Sequence, residues 1–160
     1  MQPNLPISSH SSYRHGFLPM PADSSLDLAV QLPLNILVAE DNLVNQKVML
    51  RLLQRFGYAA DLAATGLEVL ASVERQASLA QPYDLILMDV QMPALDGLSA
   101  ARQICQIYPP AQRPWIVAVT ASAMQGDREN CQHAGMDDYL SKPLYPEALY
   151  AALKRCGERL

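Results

Sequence analysis

The sequence predicts an α/β domain with a doubly wound parallel sheet, in which five strands alternate with five helices. Two observations carry this prediction. Short β-type runs recur along the chain, at 34–39, 58–63, 85–88, 115–120 and 138–141. Each run is followed by a segment with helical periodicity after a short connection. Strict alternation of this kind favours one parallel sheet between two layers of helices, giving three layers in all.

Length and composition set the domain organisation. With 160 residues, half of them apolar, the chain can form one domain with a real core plus a tail. Residues 1–33 are rich in Ser and Pro and follow neither structural period, which predicts a disordered or linker tail. The apolar run 26–32 in this tail can dock on the domain, although no mechanism requires it. The domain itself is predicted to span residues 34–160.

Charge and cysteine usage limit the classes of partner and compartment. The net charge of −4 and the scattered Lys and Arg residues favour no direct contact with nucleic acid. Cys105, Cys131 and Cys156 lie far apart without Cys-x-x-Cys spacing, which fits a reducing compartment. No apolar segment reaches the roughly 20 residues of a membrane span, and no secretory signal is present. We therefore expect a cytoplasmic domain without membrane contact, whose parent protein can still carry an anchor elsewhere.

The first two strand–helix pairs are defined by capping residues. The strand at 34–39 ends in Glu40-Asp41-Asn42, and Asn42 is a suitable N-cap for a helix that extends to Phe56. The four-residue spacing in this helix predicts an inward face made of Val44, Val48, Leu52 and Phe56. After the strand at 58–63, Thr65 opens a second helix that ends near Pro82. Its predicted inward residues are Leu67, Leu70 and Val73.

The remaining three pairs place polar residues at strand ends. The apolar run 85–88 stops at Asp89 and gives way to a loop that contains Pro93 and Gly97. A helix is predicted over 98–107. The next strand, 115–120, ends with the hydroxyl of Thr120 and precedes a helix over 123–133. The fifth strand, 138–141, leads into Lys142 and a last helix over 146–156.

Right-handed crossovers leave few topologies for such a chain. In the flavodoxin-like strand order 2-1-3-4-5, strands one and three are neighbours at the switch point of the sheet, where ligands bind. Glu40, Asp41 and Asp89 would then converge on one edge. Three clustered carboxylates repel one another unless a cation holds them, and an all-oxygen ligand set favours Mg²⁺, with Mn²⁺ possible.

The same edge would also carry Thr120 and Lys142. A carboxylate, a hard cation, a hydroxyl and a lysine are the groups needed to accept a phosphoryl group, because positioning and charge neutralisation dominate that reaction. Each residue taken alone also fits a solvated strand end or a surface position. Asp137 and Asp138 are expected to be a solvated pair before the fifth strand.

These motifs resemble the receiver domain of two-component response regulators. The resemblance rests on Glu40-Asp41, Asp89 with Met92-Pro93 and Asp96-Gly97, Thr120-Ala121, and Lys142-Pro143, and it covers residues 34–160. It implies that Asp89 is the phosphoacceptor and that Thr120 and Lys142 contact the phosphoryl group. It further implies that Asp41, Asp89 and the main-chain carbonyl of Gln91 bind Mg²⁺, with Glu40 acting through water. Tyr139 matches the family's switch aromatic, and the Lys142–Pro143 peptide bond is implied to be cis.

The segments 41–46, 124–127 and 134–143 are most similar to the C-terminal receivers of hybrid histidine kinases. A stand-alone regulator is the alternative context. The implied partner is a histidine kinase or a histidine phosphotransfer protein, docking near the first helix, and the domain is expected to be a monomer or weak dimer. The rival function is a phosphorylation-independent pseudo-receiver that serves only for docking.

Other activities known on flavodoxin-like or related folds fit the residues less well. A flavin site needs a Ser/Thr/Gly-rich loop after the first strand, where this chain has acids. No Gly-x-Gly-x-x-Gly or Walker loop occurs. A phosphatase of the haloacid type wants a second Asp two residues after the nucleophile, and that position is Gln91. An acyl phosphate on Asp89 would therefore lack a built-in acid for turnover.

Overall fold

The structure is a computed structural model that describes residues 28–122 and 124–160. Residues 1–27 of the predicted tail, which was expected to span 1–33, lie outside the described residues. The helices and strands follow in the order α1 (Leu28–Gln31), β1 (Ile36–Ala39), α2 (Leu43–Arg55), β2 (Ala60–Ala63), α3 (Gly66–Ser78), β3 (Leu85–Asp89), α4 (Gly97–Ile107), β4 (Trp115–Thr120), α5 (Gln125–His133), β5 (Asp138–Ser141) and α6 (Pro146–Arg159).

The five strands form one parallel sheet in the order β2-β1-β3-β4-β5. This confirms the predicted α/β class and strand order. The central strands β1 and β3 are buried along their whole length, which explains why their sequences are uniformly apolar instead of alternating. Their carboxyl ends meet in register, since Ala39 is paired with Met88. The residues that follow these two strands therefore lie at the same edge.

Two apolar clusters cover the two faces of the sheet. One cluster joins α2 and α6 to the sheet, through residues such as Leu53, Leu149 and Leu153. The other joins α3, α4 and the end of α5, through residues such as Val69 and Ile104. The result is the predicted three-layer arrangement of helices, sheet and helices.

The described residues contain the five predicted helices and one further short helix. The additional helix, α1, lies inside the stretch predicted to be a tail. Its Leu28 is only 2% exposed and belongs to the apolar cluster beneath α2 and α6. The sequence shows an apolar run at 26–32, but a helix of four residues is too short to produce a helical period that would predict it.

The predicted inward face of α2 was wrong at two positions. Val44 and Val48 are exposed, whereas the buried positions are Gln46, Met49 and Leu53. A four-residue spacing advances about 40° around a helix at each step, so it does not define a single stripe. The exposed valines form an apolar patch on the outer surface of the first half of α2.

Helix α3 differs from the prediction in its first turn and at its end. Val69 and Val73 are buried, but Leu67 is largely exposed. The helix ends at Ser78 rather than near Pro82, and Ala80 follows in the left-handed conformation with φ of 55°. A left-handed residue stops a helix before a later proline has to.

Candidate functional site

Three carboxylates converge at the carboxyl edge of the sheet. Oxygen atoms of Glu40, Asp41 and Asp89 all lie within 4.8 Å of one another. Gln91, Thr120 and Lys142 line the same depression, which we call the acid cleft. The strand order is the cause, because it places β1 beside β3 and β4 beside β3. Acids that are about fifty residues apart in the sequence thus become neighbours.

Glu40 is fixed as a buried anion. Its side chain is 1% exposed, and Oε1 accepts a hydrogen bond of 3.0 Å from the Asn42 backbone N–H. Oε2 accepts from Nζ of Lys142 at 2.7 Å. Burial opposes ionisation of the carboxyl, but the hydrogen bonds from Lys142 and Asn42 outweigh it and hold the pKa of Glu40 below its ordinary value. Glu40 is therefore charged at neutral pH.

Asp89 occupies a less favourable environment for charge. It is 7% exposed, Oδ1 accepts from the Gln91 backbone N–H at 3.1 Å, and Oδ2 lies 3.2 Å from Nζ of Lys142. Burial raises the pKa of Asp89 above its ordinary value, and the charge of Glu40 adds to the effect, against the opposing contacts of Gln91 and Lys142. The site thus presents an incompletely neutralised carboxylate.

Lys142 links the two buried acids. Its backbone N–H donates to the Thr120 carbonyl at 2.7 Å, and its peptide bond to Pro143 is cis, as the resemblance implies. Burial disfavours the ammonium, but the acceptor oxygens of Glu40 and the charge of Asp89 raise the pKa of Lys142 above its ordinary value. One cation faces three acids, so the cluster keeps a negative excess.

Thr120 and Tyr139 are connected through one loop residue, Ser122. The buried hydroxyl of Thr120 accepts from the Ser122 backbone N–H at 3.2 Å. The Tyr139 hydroxyl donates to the Ser122 carbonyl. The Arg128 guanidinium lies 5.2 Å from the centre of the Tyr139 ring. The loop after β4 therefore touches both residues that the sequence suggested as a switch.

Gly97 sets the distance between the loop after β3 and the strand itself. A Cβ atom at this position would lie 2.1 Å from the Asp89 carbonyl oxygen, so only glycine fits. The Gly97 N–H donates to the Val90 carbonyl at 3.0 Å, which closes the loop over Asp89. In the sequence, Gly97 indicates only a loop. Its close-packing role depends on tertiary contacts.

Sequence reasoning also missed Gln46 and Asp127. Gln46 is a buried polar residue whose Nε2 donates to the Glu40 carbonyl at 2.6 Å, which braces the end of β1. Asp127 lines the acid cleft from α5, where its carboxylate accepts from the Ser122 hydroxyl. A polar residue inside a helical apolar pattern was the available signal for Gln46. Nothing in the sequence placed Asp127 at the cleft.

Asp137 and Asp138 are not the solvated pair that was expected. Asp137 forms a bidentate ion pair with Arg113, at 2.7 and 2.8 Å, and accepts from the Ile116 N–H. Asp138 pairs with Arg155 at 2.7 Å. Both aspartates tie β5 to neighbouring segments and lie outside the three-acid cluster. The correction follows from arginines that are distant in the sequence.

The donor set of the acid cleft suits a hard divalent cation. Its candidate ligands are carboxylate oxygens, with no His or Cys among them. Asp41 is exposed, so the cluster is accessible from solvent.

Within the described residues, no helix is long and apolar enough to cross a membrane.

A five-stranded sheet of this order, with an acid cluster and a lysine at its carboxyl edge, places the protein in the CheY-like class of signalling domains. The chain belongs to the response regulator receiver domain family, whose family model matches residues 36–154. The resemblance noted in the sequence is thereby confirmed.

Curated relatives are histidine kinases that contain such a region. Histidine protein kinase 1 of Candida albicans is 40% identical over 136 residues, which are 82% of this chain and 6% of that protein. The signal transduction histidine-protein kinase BarA of Escherichia coli is 39% identical over 125 residues, 78% of this chain and 13% of BarA. The chain thus spans only a small part of the relatives it matches.

Solved structures give the same result. The receiver domain of sensor histidine kinase PA1611 from Pseudomonas aeruginosa PAO1 is 46% identical, with a TM-score of 0.68 over 78% of this chain and 98% of that one. That crystal structure has a magnesium ion coordinated in its active site cleft. The Ssk1 receiver of Saccharomyces cerevisiae, co-crystallised with the histidine phosphotransfer protein Ypd1, is 31% identical, with a TM-score of 0.70 over 81% and 93% of the two chains.

The raised pKa of Asp89 predicts that its charge destabilises the metal-free fold. The cost is present at neutral pH and disappears as pH falls through the folded pKa towards the ordinary value of 3.8. In EDTA at pH 7, Asp89→Asn should therefore raise the free energy of unfolding by about 1 kcal/mol. Urea denaturation between pH 7 and 4 measures this gain in the free energy of unfolding, which should become smaller as the pH falls.

Glu74→Gln, which changes an exposed acid on α3, is the matched control and should leave stability within about 0.5 kcal/mol. A loss of stability in Asp89→Asn at pH 7, or a gain that does not depend on pH, would contradict the raised pKa of Asp89.

Proposed function

We propose that this receiver takes a phosphoryl group from a phosphohistidine onto Asp89. The observation that carries the proposal is the arrangement of Asp89 beside two further acids, within 4.8 Å, and beside Lys142, at 3.2 Å, in an open cleft. An anionic nucleophile of this kind attacks phosphorus only if its surroundings offset the approaching negative charge. The site supplies that offset through a lysine, a hydroxyl and a cation-binding cluster.

Asp41, Asp89 and the main-chain carbonyl of Gln91 would hold Mg²⁺, or Mn²⁺ in its place, with Glu40 acting through bound water. When bound, the cation would neutralise charge on the phosphoryl oxygens and on the acids that surround them. The donor set supports this assignment because it consists of oxygen atoms alone. The magnesium ion described for the PA1611 receiver supports it further.

In the transfer step, a carboxylate oxygen of Asp89 forms a bond to phosphorus while the bond from phosphorus to the imidazole nitrogen breaks. The imidazole leaves with the electron pair. Lys142 already contacts Asp89 and is positioned to follow the charge onto a phosphoryl oxygen. Thr120, whose hydroxyl oxygen accepts from Ser122, can donate its own proton to a second phosphoryl oxygen.

Phosphorylation is proposed to change the surface formed by α5, β5 and α6. The acyl phosphate carries about −1.5 to −2 charges in place of the single charge of the Asp89 carboxylate, and it places them on three further oxygen atoms inside the cleft. Movement of Thr120 towards the phosphoryl group would pull on Ser122, whose carbonyl accepts from the Tyr139 hydroxyl. Tyr139 belongs to β5, so this chain of contacts links the cleft to the proposed surface.

The proposed partner is a histidine kinase or histidine phosphotransfer protein that docks on α2. Leu43, Val44 and Val48 expose apolar side chains there, at 71%, 68% and 45%, and their neighbour Asn45 lines the acid cleft. An exposed apolar group beside a reactive site is typical of a docking surface. The Ssk1 receiver, with its phosphotransfer partner Ypd1, supports the choice of partner. We place the chain in a hybrid histidine kinase, in the cytoplasm, as a monomer or weak dimer.

Phosphate uptake on Asp89 is measured by mobility on Phos-tag gels with acetyl phosphate and Mg²⁺. The wild-type chain should show a shifted band that EDTA prevents and that Asp89→Asn lacks. Asp41→Asn should lower the labelled fraction by about 10-fold or more, because it removes a proposed metal ligand. Glu74→Gln should label like the wild type. A chain that stays unlabelled by acetyl phosphate and by a competent phosphohistidine donor would favour the docking-only alternative.

The docking surface is tested by removing its apolar side chains without adding charge. Val44→Ala with Val48→Ala should lower the rate of transfer from a phosphorylated histidine phosphotransfer protein by about 10-fold. Labelling by acetyl phosphate should stay unchanged, because that small donor needs no docking. Leu67→Ala removes an equally exposed apolar side chain from the opposite helical layer and serves as control. Equal transfer rates in the wild type, the double variant and Leu67→Ala would contradict docking through Val44 and Val48.

A further inference from the structure

Residues 28–32 are bound to the domain more extensively than a linker needs to be. Leu28 is 2% exposed in the cluster beneath α2 and α6, and Leu32 packs against the same cluster. The Ala29 backbone N–H donates to the Phe56 carbonyl at 3.0 Å. Apolar burial and a backbone hydrogen bond thus hold the segment from the side of α2.

Tyr58 provides a second polar attachment. Its hydroxyl donates to the Leu32 carbonyl at 2.6 Å, while its ring is almost fully buried. Burial raises the pKa of Tyr58 to about 12, with smaller contributions from Cys156 and Tyr150. Without the Leu32 carbonyl, the buried Tyr58 hydroxyl would lose its hydrogen-bond acceptor, which would destabilise the fold.

Gly157 on α6 leaves the space that the Leu32 side chain occupies, which we call the seat. A glycine within a helix is unfavourable relative to alanine, so its presence there needs a structural reason. A Cβ atom on Gly157 would lie 2.5 Å from Cδ2 and 2.7 Å from Cδ1 of Leu32. The absent side chain therefore makes room for a leucine from a segment more than a hundred residues away.

The contacts of residues 28–32 show which edge of the sheet this segment occupies. Phe56 lies at the carboxyl end of α2 and Gly157 lies in the last turn of α6. In a parallel α/β sheet these helix ends lie at the edge opposite the carboxyl ends of the strands. The segment therefore bridges two helices of one layer and leaves the acid cleft unobstructed.

We propose that residues 28–32 are a docking strap, with a seat built into α2 and α6, that tethers the preceding polypeptide at the sheet edge opposite the acid cleft. The occupant of this interaction surface is the chain's own segment. The strap fixes Leu28, the first described residue, at this edge, at the other end of α2 from the apolar residues on which a phosphate donor would dock. Its existence does not depend on the proposed phosphorylation.

A double-mutant cycle in the full chain tests the contact between strap and seat. Gly157→Ala should lower the Tm by about 2–5 °C in the chain that carries Leu32, because the new methyl group displaces that side chain. In the Leu32→Ala background the same change should be neutral or raise the Tm, because the space is then empty and alanine favours the helix. Gly126→Ala is the matched control, because an added Cβ atom at this helical glycine would contact no other part of the structure within 4 Å. It should have the same effect in both backgrounds.

Hydrogen exchange of the wild-type chain tests docking without any substitution. The Ala29 amide should exchange at least about 100-fold more slowly than in an unstructured peptide, because its N–H is bonded to Phe56. Slow exchange together with a coupled cycle supports the strap. Exchange at the rate of an unstructured peptide overturns it, and so does a Gly157→Ala effect that is the same with and without Leu32.

Discussion

The contact of the Lys142 ammonium with two buried carboxylates is the interaction on which the site depends. Lys142 lies 2.7 Å from Glu40 and 3.2 Å from Asp89, so one cation holds the ends of β1 and β3 together across the sheet. Without it, two adjacent buried anions would repel and desolvation would favour their protonation. The parallel strand order makes this contact possible, because β5 brings Lys142 to the edge that β1 and β3 already share with Thr120.

The two buried acids differ because of their hydrogen-bond partners. Glu40 receives a short bond from Lys142 and a backbone N–H bond from Asn42, and its pKa is lowered despite burial. Asp89 receives the longer lysine contact, and burial raises its pKa. One acid is thus stabilised as a charge, and the other carries charge at a cost to folding. Costs of this kind are typical of sites where function opposes stability.

The sequence predicted the features that local patterns determine. Apolar runs predicted the strands, Asn42 and Thr65 were identified as the helix N-caps that they prove to be, and strand alternation predicted one parallel sheet. The strand order came from the flavodoxin-like topology, one of the few that right-handed crossovers allow. It failed where tertiary contacts decide. The inward face of α2 depends on how the helix rotates against the sheet, and the space that Leu32 occupies beside Gly157 involves residues more than a hundred positions apart. The ion pair between Arg113 and Asp137 joins segments whose proximity no local pattern encodes.

The measurement that tests the central claim most directly is chemical mapping of the phosphorylated residue. Borohydride converts an aspartyl phosphate to homoserine, and peptide mass spectrometry then locates it. After reaction with a phosphohistidine donor and Mg²⁺, we expect homoserine at position 89 and unchanged aspartate at positions 41 and 96. Homoserine at either of those positions, or labelling at position 89 that is equally efficient in EDTA, would contradict the central claim.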